Sequence, residues 1–529
     1  MTRASKPTST RRFVRRALGA AAGVVVLAAG TGLAVAGGAV PQSSGLAPGT
    51  APAVDVPVGQ TIGVCPGPAE LLRGTPVQGD PQFSPASKSA SSLLTAAVIG
   101  EPSGAMPSSA ILGVNGTVQQ KVSDGRDASA APPSAPPAAV AARASTGPAL
   151  FTASALEGRP SSAAALMRYS ATDGDLRGLA AASCAAPANE LWLGGASTLV
   201  GRTSVLYLTN PTTTPSTVNL DFFGDQPIGQ APPGSRGIQI PPGSTKSFVL
   251  GGFVPGQRNV SVRVRSSGGP VAAVIQQSTL RGLTPGGVDF LTPVGGPSNR
   301  QVATGIELQD PAAARDLASH NGFDDATAAL QITVPGATDA VVQVRVFGPN
   351  GPVTLPSGAV FTAKAGTVTE IPLAGVPAGK YSVAASSDVS FTASVRMVKG
   401  TSEKDPLDFA ISGAQPRLGD GHVVPVGDTG SRTLVFSAPD GRAKVTAVPV
   451  TADGKLHSSV TLDLAGGTTA TLGVPDAVDG AKPVAYSISA SGDPAYGSVL
   501  LEGDGNGISV ASILPAAGGR QSIPVTLGY

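Results

Sequence analysis

One pattern of short apolar runs and turn residues, first complete between Trp192 and Pro293, returns twice further along the chain and constrains the fold more than any other feature. Its strand-like runs fall at residues 204–209, 217–223, 245–250, 260–265, 271–277 and 288–291. Punctuation comes from Asn210-Pro211, Gly224, Pro241-Pro242-Gly243-Ser244 and Val254-Pro255-Gly256. Val260, Val262 and Val264 alternate with Ser261, Arg263 and Arg265, the period of a strand with one buried face. From Ala328 the order repeats, with Val376-Pro377 at the place of Val254-Pro255 and Leu407-Asp408-Phe409 at the place of Val288-Asp289-Phe290. A third copy begins at Arg432 and ends in the run 508–513. The spacing predicts an all-β chain of tandem immunoglobulin-like β-sandwich domains, each of about 100 residues.

The predicted units are 190–300, 301–425 and 426–529, preceded by an irregular β domain at 61–189. Within that domain residues 128–145 are nearly all Ala, Pro and Ser, and the composition predicts a mobile loop. Low charge (13%), few aromatics (4%), 69 Gly and 48 Pro suit a turn-rich exported β protein.

At the N-terminus Arg3, Lys6, Arg11, Arg12, Arg15 and Arg16 precede the uncharged run 17–40. The order predicts a basic cytoplasmic tail (1–16), a transmembrane helix (17–40) acting as an uncleaved signal anchor, and a flexible Pro/Gly/Ser/Ala linker (41–60). A cleavable signal peptide, with secretion, is the competing reading. Removing those six from the 36 basic residues leaves 30 against 34 acidic, a net charge near −4, so no nucleic-acid partner is expected.

The two cysteines, Cys65 and Cys184, bracket the irregular domain and predict a disulfide in an oxidising exterior. Hydrolase, zinc-protease and phosphate-loop motifs are missing, and His320, His422 and His457 lie scattered at spacings read as surface positions. No catalytic, cofactor or metal residues are assigned. Asp289 and Asp408 occupy equivalent repeat positions, as halves of a shared site or as strand-edge and turn residues. Trp192, the sole tryptophan, and Tyr207 are the candidate ligand contacts; Trp192 serves either as a stacking platform or as an anchor between domains.

Gly174-Asp175-Leu176-Arg177-Gly178-Leu179, Cys184, Pro187, Glu190-Leu191-Trp192-Leu193-Gly194-Gly195 and Asn210-Pro211 together resemble the signature of an actinobacterial family of secreted or single-span proteins. That family carries a domain of unknown function. The resemblance implies an envelope location and supplies no catalytic residues. The expected function is a non-enzymatic cell-envelope scaffold or adaptor presenting a protein-binding surface outside the membrane. The alternative is binding of a cell-surface polysaccharide.

Overall fold

The computed structural model describes residues 53–55, 59–75, 84–129, 133–156, 158–404, 406–515 and 522–524 of the 529-residue chain. The chain divides into two compact units, residues 57–520 and residues 1–56 with 521–529. In the second unit β1 (Ala53–Asp55) pairs antiparallel with Ser522–Pro524. The predicted tail and anchor, 1–40, and most of the predicted linker lie outside the described residues. No helix among the described residues is long and apolar enough to cross a membrane.

The large unit holds one eight-strand motif in four copies. The first is β2 (Thr61–Cys65), β3 (Ser91–Ile99), β4 (Met106–Gly113), β5 (Val118–Arg126), β6 (Ala138–Ala144), β7 (Ala149–Ala153), β8 (Ser162–Ala171) and β9 (Gly178–Ser183). The second is β10 (Glu190–Ala196), β11 (Arg202–Asn210), β12 (Ser216–Phe223), β13 (Ile238–Ile240), β14 (Ser244–Val249), β15 (Val260–Gly268), β16 (Ala272–Arg281) and β17 (Thr284–Leu291). The third contains β18 (Ser298–Leu308), helix α1 (Pro311–Ala318), β19 (Ala329–Thr333), β20 (Ala340–Gly348), β21 (Gly351–Val353), β22 (Val360–Ala363), β23 (Val368–Pro372), β24 (Gly379–Lys399) and β25 (Asp408–Gly413). The fourth is β26 (His422–Pro425), β27 (Ser431–Ala438), β28 (Ala443–Thr451), β29 (Val460–Leu464), β30 (Thr468–Gly473), β31 (Pro483–Gly492), β32 (Tyr496–Glu502) and β33 (Ile508–Ser512).

Strand order is the same in each copy. The first copy makes sheets β2-β7-β4-β5 and β6-β3-β8-β9; the second makes β10-β15-β12-β13 and β14-β11-β16-β17; the fourth makes β26-β31-β28-β29 and β30-β27-β32-β33. In the third, β24 does the work of two strands. It pairs with β18 and β20 along its first part and with β19 and β25 along its second, so both sheets share one continuous strand.

Each pair of sheets closes over alternating apolar residues. Leu206 and Leu208 of β11 meet Val218 and Leu220 of β12 and Val262 and Val264 of β15 in the second core. The expected immunoglobulin order needs correcting in its edges. Immunoglobulin domains seat the first strand beside the second and the seventh beside the sixth. Here the first lies beside the sixth and the seventh beside the second.

Residues 61–189 are more regular than their composition implies, since they carry the motif in full. The expected loop at 128–145 contains β6, which pairs with β3 from Ala138↔Ile99 to Ala144↔Leu93. Backbone hydrogen bonds hold this edge strand, and its small side chains leave little apolar periodicity to read.

The copies do not stand apart. The first core takes in Val288 and Phe290 of the second copy, and the second core takes in Phe409 and Ile411 of the third. The third core takes in Val435, Leu500, Ile508 and Val510 of the fourth, and the fourth core takes in Leu166 and Leu179 of the first. The cores therefore form a closed ring. Each Leu or Val so buried adds roughly 1.5–3 kcal/mol.

At the centre β9 packs on β17, β17 on β25, β25 on β33, and β33 back on β9. Two fully buried aspartates bind these strands together. Asp408 Oδ2 accepts the N–H groups of Leu179 (2.8 Å) and Ile508 (3.0 Å), and Oδ1 accepts those of Val288 (3.1 Å) and Phe409 (3.0 Å), so one carboxyl touches all four copies. Asp289 accepts from Ile411 N (2.8 Å) and Ser509 Oγ (2.7 Å), and Ser509 Oγ in turn accepts from Ala181 N (2.9 Å). Burial pushes Asp289 up to about 8 and Asp408 well above the usual carboxylate range. Gly287 is glycine for a steric reason: its φ is +111°, and a Cβ there would stand 2.3 Å from Asp408 Oδ1.

Candidate functional site

Four junctions join the ring, and at three of them residues of the neighbouring copy pack on the outer faces of the second and seventh strands. Between the third and fourth copies Val435 enters the third core. Between the fourth and first, Ala97 and Ile99 pack on Val423, Val450 and Ala485. Between the second and third, Gln331 Nε2 donates to Asn259 Oδ1 (2.7 Å), Thr333 bonds Ser261 (2.7 Å), and Asp325 pairs with Arg202 and Arg281 at 2.7 Å each. The first–second junction differs. A cavity of about 420 Å³ lies there.

Its floor is the outer face of β11, β14 and β16. Alternation along β11 sends Leu206 and Leu208 into the second core and leaves Tyr207 and Thr209 facing the cavity, with Tyr207 opposite Ser247 and Val274 in the neighbouring strands. Tyr207 holds the place, four residues before the strand-ending proline, that Gln331 and Val435 hold in the later copies. The roof comes from the first copy. Strand β2 stops after five residues at Cys65, whereas β18 runs for eleven, and the chain then crosses the opening as the irregular segment 66–73.

Two fastenings hold that segment. Cys65 and Cys184 form the disulfide (S–S 2.06 Å), tying the end of β2 to the residue following β9. Gln276 of β16 accepts Glu70 N (2.9 Å) through its amide oxygen and donates to Glu70 O (2.8 Å) through its amide nitrogen. Val64, Leu71, Val205, Val249, Val274 and Phe290 give the cavity apolar walls. Hydroxyls of Tyr207, Thr209, Thr245 and Ser247 stand on the floor, and among the described residues Glu70 and Arg73 are the charged groups of the lining. Burial, and then the Glu70 charge, push the Tyr207 phenol up to about 12, so it keeps its proton and both donates and accepts. The site can bury an apolar group and fix a polar one beside it.

The other sequence-predicted positions lie elsewhere. Trp192, 4% exposed, sits on the face of β10 opposite Leu191 and Leu193 and shares that face with Gly194, whose neighbour is Ser394 of the third copy. Phe223 lies 5.4 Å from its ring, Arg263 covers it at 5.4 Å, and its Nε1 donates to Glu190 Oε1 (3.0 Å). Asp289 and Asp408 serve the axis and do not line the cavity. His422 departs from its expected surface position. It is 2% exposed, its Nε2 accepts from Gly419 N, and its Nδ1 meets Leu514 O.

Sequence reasoning reached Tyr207, Cys65 and Cys184. It missed segment 66–73, whose Pro66-Gly67-Pro68 start announces only a break in regular structure.

Residues 138–475 match the model of a family described as "Family of unknown function (DUF5719)". Among solved structures, the BSP domain of a biofilm-associated protein is 10% identical, covers 88% of this chain and 98% of its own, and has a TM-score of 0.12. A GH78 family rhamnosidase of Bacillus sp. GL1 is also 10% identical, covers 59% of this chain and 54% of its own, and has a TM-score of 0.11. No curated protein matches the chain.

Proposed function

The chain belongs to DUF5719, a family of unknown function, and we propose that it is a non-enzymatic scaffold of the cell envelope whose ring holds a cavity open for an anchor side chain of a protein partner. The observation that carries this is the open junction: about 420 Å³ remains beside Tyr207 where the equivalent faces of the other copies are filled. That volume falls within the range of ligand pockets and accommodates one or two large side chains. Leu72 (39% exposed) and Val249 (45% exposed) stand uncovered among the lining residues. An apolar rim around a preformed pocket is where a few buried side chains supply most of the energy of a protein interface.

The setting rests on three features. The disulfide supports an oxidising compartment. The signature at residues 174–195 supports an actinobacterial, extracytoplasmic protein. The basic-then-apolar order of residues 1–40 supports a single-span anchor with the ring outside the membrane.

The test is photo-crosslinking in intact cells from a photoreactive residue at position 249, with the chain tagged at its C-terminus and residues 1–40 retained. Mass spectrometry is expected to recover one reproducible envelope protein, and Leu72→Asp is expected to abolish that crosslink. Equal recovery with Leu72→Asp, or recovery of glycan fragments and no protein, would overturn the reading.

A further inference from the structure

The Tyr207 cavity is open at one end and closed at the other. Ser247 and Val249 of its lining are exposed, whereas Val205 and Phe290 are only 5% and 3% exposed. Those two flank Gln276 in the sheet, each directly opposite it in a neighbouring strand. Gln276 is itself 2% exposed and holds Glu70 of segment 66–73 through both atoms of its amide. The apolar end of the cavity is therefore the end that the roof closes.

That roof is fastened differently along its length. Cys65 fixes its start through the disulfide, and Ala69 and Leu71 pack half-buried on the first core. Among the described residues, the two bonds between Gln276 and Glu70 are the only hydrogen bonds that join residues 66–73 to the second copy. Glu70, Leu72 and Arg73 are exposed, so water stands ready to replace those bonds, and the net worth of each is small.

The same position is built otherwise in the fourth copy. Gln276 pairs with Val205 as Leu500 pairs with Thr433. Leu500 is 0% exposed and belongs to the third core, so there the position joins two copies by packing. A side-chain amide instead offers one donor group and one acceptor to a single peptide unit, a hold that breaks without leaving a void.

We propose that segment 66–73 is a strap, rooted at Cys65 and latched at Gln276, that lifts so that the partner's anchor side chain reaches Val205 and Phe290. This rests on the reading of the cavity as a partner site.

The experiment compares the full chain with two variants. Gln276→Met keeps the length of the side chain and removes both polar atoms; Gln276→Glu keeps an acceptor for Glu70 N and loses the donor to Glu70 O. Each protein is treated with trypsin under native conditions and cleavage at Arg73 is followed by mass spectrometry, because cleavage of a folded chain tracks the population of its opened form. Cleavage at Arg73 is expected to be about tenfold faster in Gln276→Met, the worth of one or two hydrogen bonds, with a smaller rise in Gln276→Glu. Cleavage at Arg202, Arg263 and Arg281 of the second copy is expected to stay at the wild-type rate. The crosslink from position 249 is expected to rise in yield in Gln276→Met, since less of the binding free energy goes into lifting the strap. Equal cleavage at Arg73 in Gln276→Met and wild type, or equally faster cleavage throughout the second copy, would overturn the strap. Faster cleavage at Arg73 with an unchanged crosslink would overturn its role as a gate. Absence of any crosslinked protein in both would overturn the partner reading and leave the strap to be decided by cleavage at Arg73 alone.

Discussion

Removal of the Asp408 carboxyl is expected to loosen the whole ring, because this one side chain accepts N–H groups from every copy. Asp408→Ala strands four buried donors at the axis. At about 1 kcal/mol each, the low end for an unpaired buried amide, the loss is about 4 kcal/mol, beyond the common range for a single substitution. For a cooperative unit of this length that corresponds to a melting temperature lower by about 4 °C. Asp408→Asn is the sharper test. Every hydrogen bond to this carboxyl comes from an N–H donor, so an amide keeps one accepting oxygen and turns its own N–H₂ toward two donors; a loss of about 2 kcal/mol is expected. Were the carboxyl to act through a donated proton, Asn would replace it almost without cost. Guanidinium unfolding followed by Trp192 fluorescence reports the second–third junction, and circular dichroism reports the sheets. An Asp408→Asn protein with the wild-type midpoint, or a loss below about 1 kcal/mol in Asp408→Ala, would refute the reasoning.

Two further expectations concern stability. Asp289 is raised from 3.8 to about 8, so the folded state holds its proton more tightly than the unfolded chain does. Its contribution is complete below about pH 4 and falls by about 1.4 kcal/mol per pH unit until about pH 8. The unfolding midpoint should therefore drop between pH 6 and pH 8, and Asp289→Asn should flatten that slope; an unchanged slope counts against the assignment. Replacing Cys65 and Cys184 together by Ser opens a link across 119 residues and is expected to cost about 4–5 kcal/mol, measured by equilibrium unfolding.

Much of the architecture was legible where side-chain periodicity survives. β12, Ser216–Phe223, alternates buried and half-buried residues along its whole length, and β20 and β28 alternate over most of theirs. Periodicity fails at exposed edges. β5 is polar and β6 is mostly alanine, so the first copy looked irregular although its backbone follows the same plan. The ring was hidden for a different reason. Residues such as Ile411 and Val435 read as ordinary strand positions, and no local pattern says that another copy covers them. Asp289 and Asp408 were recognised as equivalent, but a charged residue at a strand end reads as solvent-facing. Here the pairing of copies turns both ends inward. For the cavity, Tyr207 was named as a candidate contact but read as an inward or edge position, and the roof that makes it a site comes from a segment without period.

The contact of β9 with β33 also sets an order of events during biosynthesis. The hydrogen bond from Ala181 N to Ser509 Oγ spans 328 residues, so a chain emerging N-terminus first leaves that face of its first sandwich uncovered until the fourth is delivered. Local sandwiches can form as they appear, but annealing of the axis waits for the last arc, and such distant pairing makes for slow maturation. A nascent or truncated chain lacking 508–512 would carry Asp408 without its Ile508 donor and Ala181 without its Ser509 acceptor, a form open to quality-control proteases that the closed ring excludes.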